Sequence, residues 1–173
     1  MTQHSSHDQE VMVNQSEFMV TKSDLKGNLI YANRAFMQIT GYPEYEILGK
    51  PLNLFRHPDM PKGMFRLLWD HLENDQECYL YLKNRTRNGD FYWTFTNTIL
   101  IHDPQGKPTT YFSAQRRPSR EGVSTIIPIY QEMLSIEHGS SGTRAAELSL
   151  QWLTDTLRQQ GKTYDEYIHT LGH

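Results

Sequence analysis

The alternation of apolar and polar positions divides the chain into strand-like and helix-like stretches. Residues 18–23 and 29–32 alternate as two short strands, joined by a turn at 24–28 in which Gly27 and Asn28 tolerate positive φ. Residues 34–40 change to helical spacing, with Ala35, Phe36 and Ile39 on one face, Asn33 placed as N-cap and Gly41 as the stop. A second short helix is expected at 43–48. Phe65, Leu68, Trp69 and Leu72 then recur at helical spacing and predict an amphipathic helix over 62–74. Three longer β patterns follow, at 78–87, 91–102 and 109–117. Asn88 and Gly89 mark the first turn between them, and residues 103–108 the second. Consecutive hairpins imply an antiparallel sheet, and the helices between them are expected to gather on one face. The fold class is therefore α+β, a five-stranded antiparallel sheet with short helices on one face. A cavity between those helices and the concave sheet face is a natural ligand site.

Beyond Pro118 the pattern is helical. Val123, Ile126, Ile127, Tyr130, Met133 and Leu134 form a stripe, and Pro128 is expected to kink it or to lie near its start. Residues 138–143 read as a linker by composition. Ala146, Leu150, Leu153 and Leu157 make one face of a further helix, and residues 164–171 a short helical tail. The organisation expected is a flexible arm at 1–13, a domain at 14–119, a connecting helix at 120–137, a linker at 138–143 and a C-terminal helical appendage at 144–173.

Between the two short helices and the amphipathic one lies residues 53–61, where Arg56, His57 and Asp59 stand among Pro58 and Pro61. The prolines stiffen the segment. A helix N-terminus favours anions, and an arginine offers a planar fork to phosphate or carboxylate. The segment is therefore a candidate grip for an anionic or polar cofactor; an internal salt bridge bracing the loop is the other reading.

Charge and composition narrow the field. The 173 residues carry a net charge of −3 without a long basic run, which argues against a nucleic-acid partner. No apolar run is long enough to cross a bilayer, and the N-terminus lacks the layout of a signal peptide. The single cysteine, Cys78, excludes an internal disulfide and fits a reducing compartment, so a cytoplasmic protein is expected. The eight histidines are scattered, with none of the usual metal-ligand spacings. No nucleophile–base pair is visible, so an enzyme is not expected.

Six pieces occur in a fixed order: Gly41–Tyr42, Glu46 to Gly49, Arg56 to Pro61, Lys83 to Arg85, Asn88 to Trp93, and Arg117–Pro118. Together they resemble the flavin-binding PAS domain of bacterial aerotaxis receptors, over roughly residues 16–135. The piece at 56–61 is the most specific; Gly-Tyr and Asn-Gly are common to most PAS domains. The resemblance implies a PAS fold and a sensor of redox, oxygen or energy state that holds non-covalent FAD and signals to a chemotaxis or other partner. It places Arg56, His57, Asp59 and Asn33 at positions tied to FAD binding, and Trp69 along the same cavity. The related LOV domains contact the flavin ring through an Asn and a Gln on the sheet, and Asn84 and Gln115 stand at similar places.

Each of these residues also has a plainer role. Asn33 is a sufficient N-cap, Trp69 and Trp93 suit a core or pocket rim, and Asn84 and Gln115 matter only if they face inward. Gln115 departs from the aerotaxis receptors, where a basic residue is more usual. Cys78 lies away from the reactive cysteine of LOV domains, so adduct photochemistry is not expected. Cys78, Tyr79 and Leu80 replace a Trp-x-Gly-like stretch of the class. The receptors continue into a membrane anchor and a coiled coil, whereas here about 30 soluble residues follow. Output is therefore expected through a signalling partner or self-association by the C-terminal helices. Two other readings stay open: a haem-binding PAS sensor using His57 or His71, and a cofactor-free PAS dimerisation module.

Overall fold

A computed structural model describes residues 8–171. Strands β1 (Met19–Ser23) and β2 (Leu29–Ala32) form the first hairpin. The Asp24 carboxylate closes its turn by accepting the amides of Lys26 and Asn28, and Gly27 supplies the positive φ of 84°. Helices α1 (Arg34–Thr40) and α2 (Glu44–Ile47) follow, then a 3₁₀ turn at Leu52–Phe55 and helix α3 (Lys62–Glu73). Strands β3 (Cys78–Arg85), β4 (Phe91–His102) and β5 (Pro108–Arg116) complete an antiparallel sheet of order β2-β1-β5-β4-β3.

The join between the early hairpin and the late meander is the β1–β5 pairing, which sets Met19 opposite Gln115 and Thr21 opposite Ser113. Alternation then sorts the side chains. Thr21, Ser23, Thr96, Thr98, Ser113 and Gln115 face α1–α3, while Trp93, Phe95 and Tyr81 face the other way.

Helices α4 (Arg120–His138), α5 (Gly142–Gln159) and α6 (Tyr164–Ile168) bring the larger core to that second side. Val123, Ile126, Tyr130 and Met133 of α4 and Leu153 and Leu157 of α5 pack with Tyr81, Trp93 and Phe95. Pro128 lies inside a continuous α4. Only Gly139, Ser140 and Ser141 separate α4 from α5. The buried line of α5 runs Ala145, Ser149, Leu153, Leu157: Leu153 and Leu157 are as expected, while Ala145 and Ser149 take the places expected for Ala146 and Leu150. Ser149 is turned inward and donates to the Glu137 carboxylate of α4 at 2.6 Å. A smaller core of Met19, Leu29, Phe36, Ile47, Phe55 and Tyr92 lies under α1 and α2.

Of residues 1–13, Gln9–Val11 pair with the start of β4: the Val11 amide donates to the Phe91 carbonyl at 2.7 Å, and Phe91 returns a bond to Gln9. Glu10 is ion-paired to Arg120 at 2.6 Å. Residues 1–7 lie outside the described residues.

β3 is an edge strand, and unpaired edges invite intermolecular pairing. Here its outward carbonyls are taken in turn. Tyr79 accepts from the Tyr164 hydroxyl at 2.7 Å, Tyr81 from the Tyr130 hydroxyl at 2.8 Å, and Lys83 from the His57 amide at 3.3 Å. Burial pushes the pKa of both phenols upward, keeping them as donors.

Candidate functional site: a two-sided cavity under the helices

Between the inner sheet face and α1–α3 lies a cavity of about 270 Å³, near the lower end of ligand pockets (roughly 300–1,000 Å³). Its two walls differ in chemistry. The sheet wall carries Thr21, Ser23, Asn84, Thr96, Thr98, Ser113 and Gln115. The helical wall carries Phe36, Leu52, Phe55, Phe65, Leu68, Trp69 and Leu72. Lys26, Pro51 and Asn53 are exposed lining residues and mark the mouth. Such a cavity suits a molecule with a hydrogen-bonding edge and an apolar body.

Three buried polar atoms along it have no hydrogen-bond partner: Ser23 Oγ, Arg56 Nε and Gln115 Oε1. Buried polar groups are nearly always paired, so three without a protein partner along one cavity are candidates to meet a ligand or water. The Arg56 guanidinium lies 3.4 Å from the Phe65 ring centroid, a cation–π contact. Burial pulls its pKa below the ordinary value, but the group remains a cation.

The sequence-derived residues divide. Arg56, Trp69, Asn84 and Gln115 line the cavity, and Trp69 also meets the edge of Tyr111, 5.2 Å between centroids. His57, Asp59, Asn33 and Trp93 are not among its lining residues. Asn33 caps α1, accepting from the Phe36 amide at 3.1 Å, and it ties down β1 by accepting from Val20 and donating to the Phe18 carbonyl. Trp93 packs against Tyr130 on the opposite sheet face. Ser23 was missed, although the alternation Met19, Thr21, Ser23 marks it as inward.

His57 and Asp59 lie on the far side of β3. The His57 ring nitrogen Nδ1 accepts from the Asp59 amide at 3.0 Å, and the Asp59 carboxylate takes the Lys83 ammonium at 2.6 Å. His71 turns Nδ1 to the Leu67 carbonyl and Nε2 to Asp165. Neither histidine named for haem ligation lines the cavity. The hydrogen bond from Lys83 holds the Asp59 carboxyl below its ordinary 3.8. A group depressed in the folded state stabilises above its unfolded pKa and loses that contribution as pH falls through the folded one. The stability gap between wild type and Asp59→Asn is therefore expected near neutrality and to close on acidification below about pH 4, as read by urea unfolding across pH.

The amides at the entrance of α3, expected to meet an external anion, are occupied by the chain itself. Lys62 and Gly63 donate to the two oxygens of Glu137 at 3.0 and 2.9 Å. Pro61, the N-cap, offers no side-chain bond.

Among the described residues no helix is long and apolar enough to cross a membrane, and no cluster of potential ligands could hold a metal ion.

Residues 29–113 match the PAS fold family. The aerotaxis receptor of Escherichia coli (strain K12) is 34% identical over 115 residues, 66% of this chain and 22% of the receptor. The nitrogen fixation regulatory protein of Klebsiella oxytoca is 30% identical over 105 residues, 61% of this chain and 21% of the relative. The chain thus spans roughly a fifth of either relative's length. Among solved structures, a light-oxygen-voltage domain studied with a flavin analogue superposes with TM-score 0.59 at 19% identity, covering 68% of this chain and 89% of that one. The LOV domain of the blue-light photoreceptor Aureochrome1 does so with TM-score 0.56 at 21% identity, covering 68% and 92%. At these identities the structural likeness speaks for the fold. The sheet order, the helices over its inner face and the family match together make this chain a PAS-domain protein, its PAS domain similar to that of the aerotaxis receptor.

Proposed function

We propose that this chain is a cytoplasmic sensory module, not an enzyme, that binds a flavin (FAD by its resemblance to the aerotaxis receptors) and reports redox or oxygen state to a signalling partner. The observation that carries the reading is the two-sided cavity with orphaned Ser23, Arg56 and Gln115 atoms. A flavin ring has carbonyl and N–H groups along one edge and an apolar body. The sheet wall suits the first and the aromatic wall the second.

A bound flavin supplies reversible redox chemistry with a proton change at N5. Asn84 and Gln115 would hold the polar edge, and Trp69, Phe65 and Leu68 would cover the ring. Arg56 would meet a carbonyl or phosphate oxygen with its free Nε–H. The Gln115 amide presents an acceptor or a donor according to which way it is turned, so it can answer a proton change. Gln115 lies on β5, and Arg116, Arg117, Pro118 and Ser119 alone separate it from α4. A turned amide therefore acts close to the start of the helix that carries Glu137.

The test is a titration of the purified chain with FAD and with FMN, read by visible flavin absorbance and flavin fluorescence. Saturable uptake with FAD preferred is the expected result. Uptake of neither flavin overturns the reading.

A further inference from the structure

Two of the six pieces, 56–61 and 83–85, meet at the free edge of β3, and each presents only one residue to the cavity. Arg56 and Asn84 face it and are joined by an antiparallel backbone bridge. Their neighbours His57 and Lys83 lie on the other side. Lys83 is held there by backbone and side chain alike. Its carbonyl accepts from the His57 amide, and its amide donates to Met60 Sδ at 3.3 Å. Its ammonium reaches Asp59 at 2.6 Å and lies 4.3 Å from the Phe91 ring centroid. The side chain is only 14% exposed, unusual for a lysine. His57 completes the turn by accepting from the Asp59 amide.

We infer that Lys83 is a positioning residue: with Asp59 and His57 it forms a clip on the outer side of β3 that aims Arg56 into the cavity. The Arg56 guanidinium rests on Phe65 and its Nε bonds to nothing, so the backbone beneath it sets its direction. That backbone is fastened one residue further on, to Lys83. The clip explains why residues typical of cofactor binding stand outside the cavity. They act through Arg56, at one remove from the ligand. For the ligand's identity the inference rests on the flavin reading above.

The experiment uses the full chain with FAD as probe, and the variants Lys83→Met, Asp59→Asn, their combination and Lys83→Arg. Each single loss is expected to weaken FAD binding about fivefold. The double variant should be no weaker than either single, because both break one contact. Lys83→Arg, which still reaches Asp59, should restore binding. Without ligand, Lys83→Met and Asp59→Asn should both speed amide exchange across residues 56–60 while β4 keeps the wild-type rate. Unchanged exchange overturns the clip. Faster exchange with unchanged FAD affinity also overturns it, reducing the cluster to a structural contact. If the wild-type chain takes up no flavin, the flavin reading fails by itself and the exchange measurement alone decides the clip.

Discussion

An alanine at position 137 is expected to lower the melting temperature by roughly 6–12 °C. The Glu137 carboxylate is 7% exposed and takes three donors: the amides of Lys62 and Gly63 and the Ser149 hydroxyl. Alanine leaves all three without that acceptor, inside a site that water reaches poorly. Hydrogen bonds to charged groups contribute about 1.5–3 kcal/mol each, but the loss is not additive, and about 3 kcal/mol is the reasonable sum. The helix dipole acts in the same direction, since the carboxylate sits at the positive end of α3. Glutamine keeps one acceptor oxygen for Gly63 and Ser149, but its NH2 group meets the Lys62 amide donor to donor, so Glu137→Gln should lose about 2 kcal/mol. Gly63 permits the arrangement: a Cβ there would run into Ser149, Met133 and the Leu150 backbone. Thermal unfolding of both variants checks this. A Glu137→Ala chain melting within about 2 °C of wild type would mean that water replaces the carboxylate at little cost.

Arg56 is the second position of large effect, and there the loss should appear in binding, not in folding. Arg56→Ala is expected to weaken FAD binding by about tenfold to a hundredfold, the range for losing a charge-assisted hydrogen bond. Its Nε has no protein partner to strand. Its removal therefore costs the ligand-free chain little beyond the contact with Phe65, about 1 kcal/mol. Flavin fluorescence titration reads the first quantity and thermal unfolding the second. Unchanged affinity would move the anion-binding role elsewhere on the cavity wall. A collapse in stability with little change in affinity would make Arg56 a brace.

What the sequence made legible was local. The strands, the helix at 62–74 and the turns follow from periodicity and from Gly and Asn at defined places, and they landed within a few residues. The inward aim of Asn84 and Gln115 depends on strand alternation, but their sharing one cavity depends on the β1–β5 pairing, which no local signal sets. Likewise nothing near Pro58 announces that the chain passes round the edge of β3, leaving Arg56 inside and Asp59 outside. The occupant of the α3 entrance was harder still, because Glu137 is 75 residues from Lys62. One signal was present. Residues 126, 130, 133 and 137 follow the apolar stripe of α4, and a glutamate in that stripe needs a buried donor.

The family match runs over residues 29–113, but the larger core does not respect those limits. Trp93, Phe95 and Tyr81 are covered by α4 and α5, the opening amides of α3 are satisfied from α4, and β1 begins at Met19. A fragment cut at the homology boundaries would bare an aromatic sheet face and lose a whole strand of the sheet. The family match and the unit that must fold as one piece are thus different lengths of this chain. Any output that moves α4 and α5 must work against the same contacts that keep the sensor folded. Under the proposed sensory function, a variant that signals more readily through α4 and α5 should also unfold more readily.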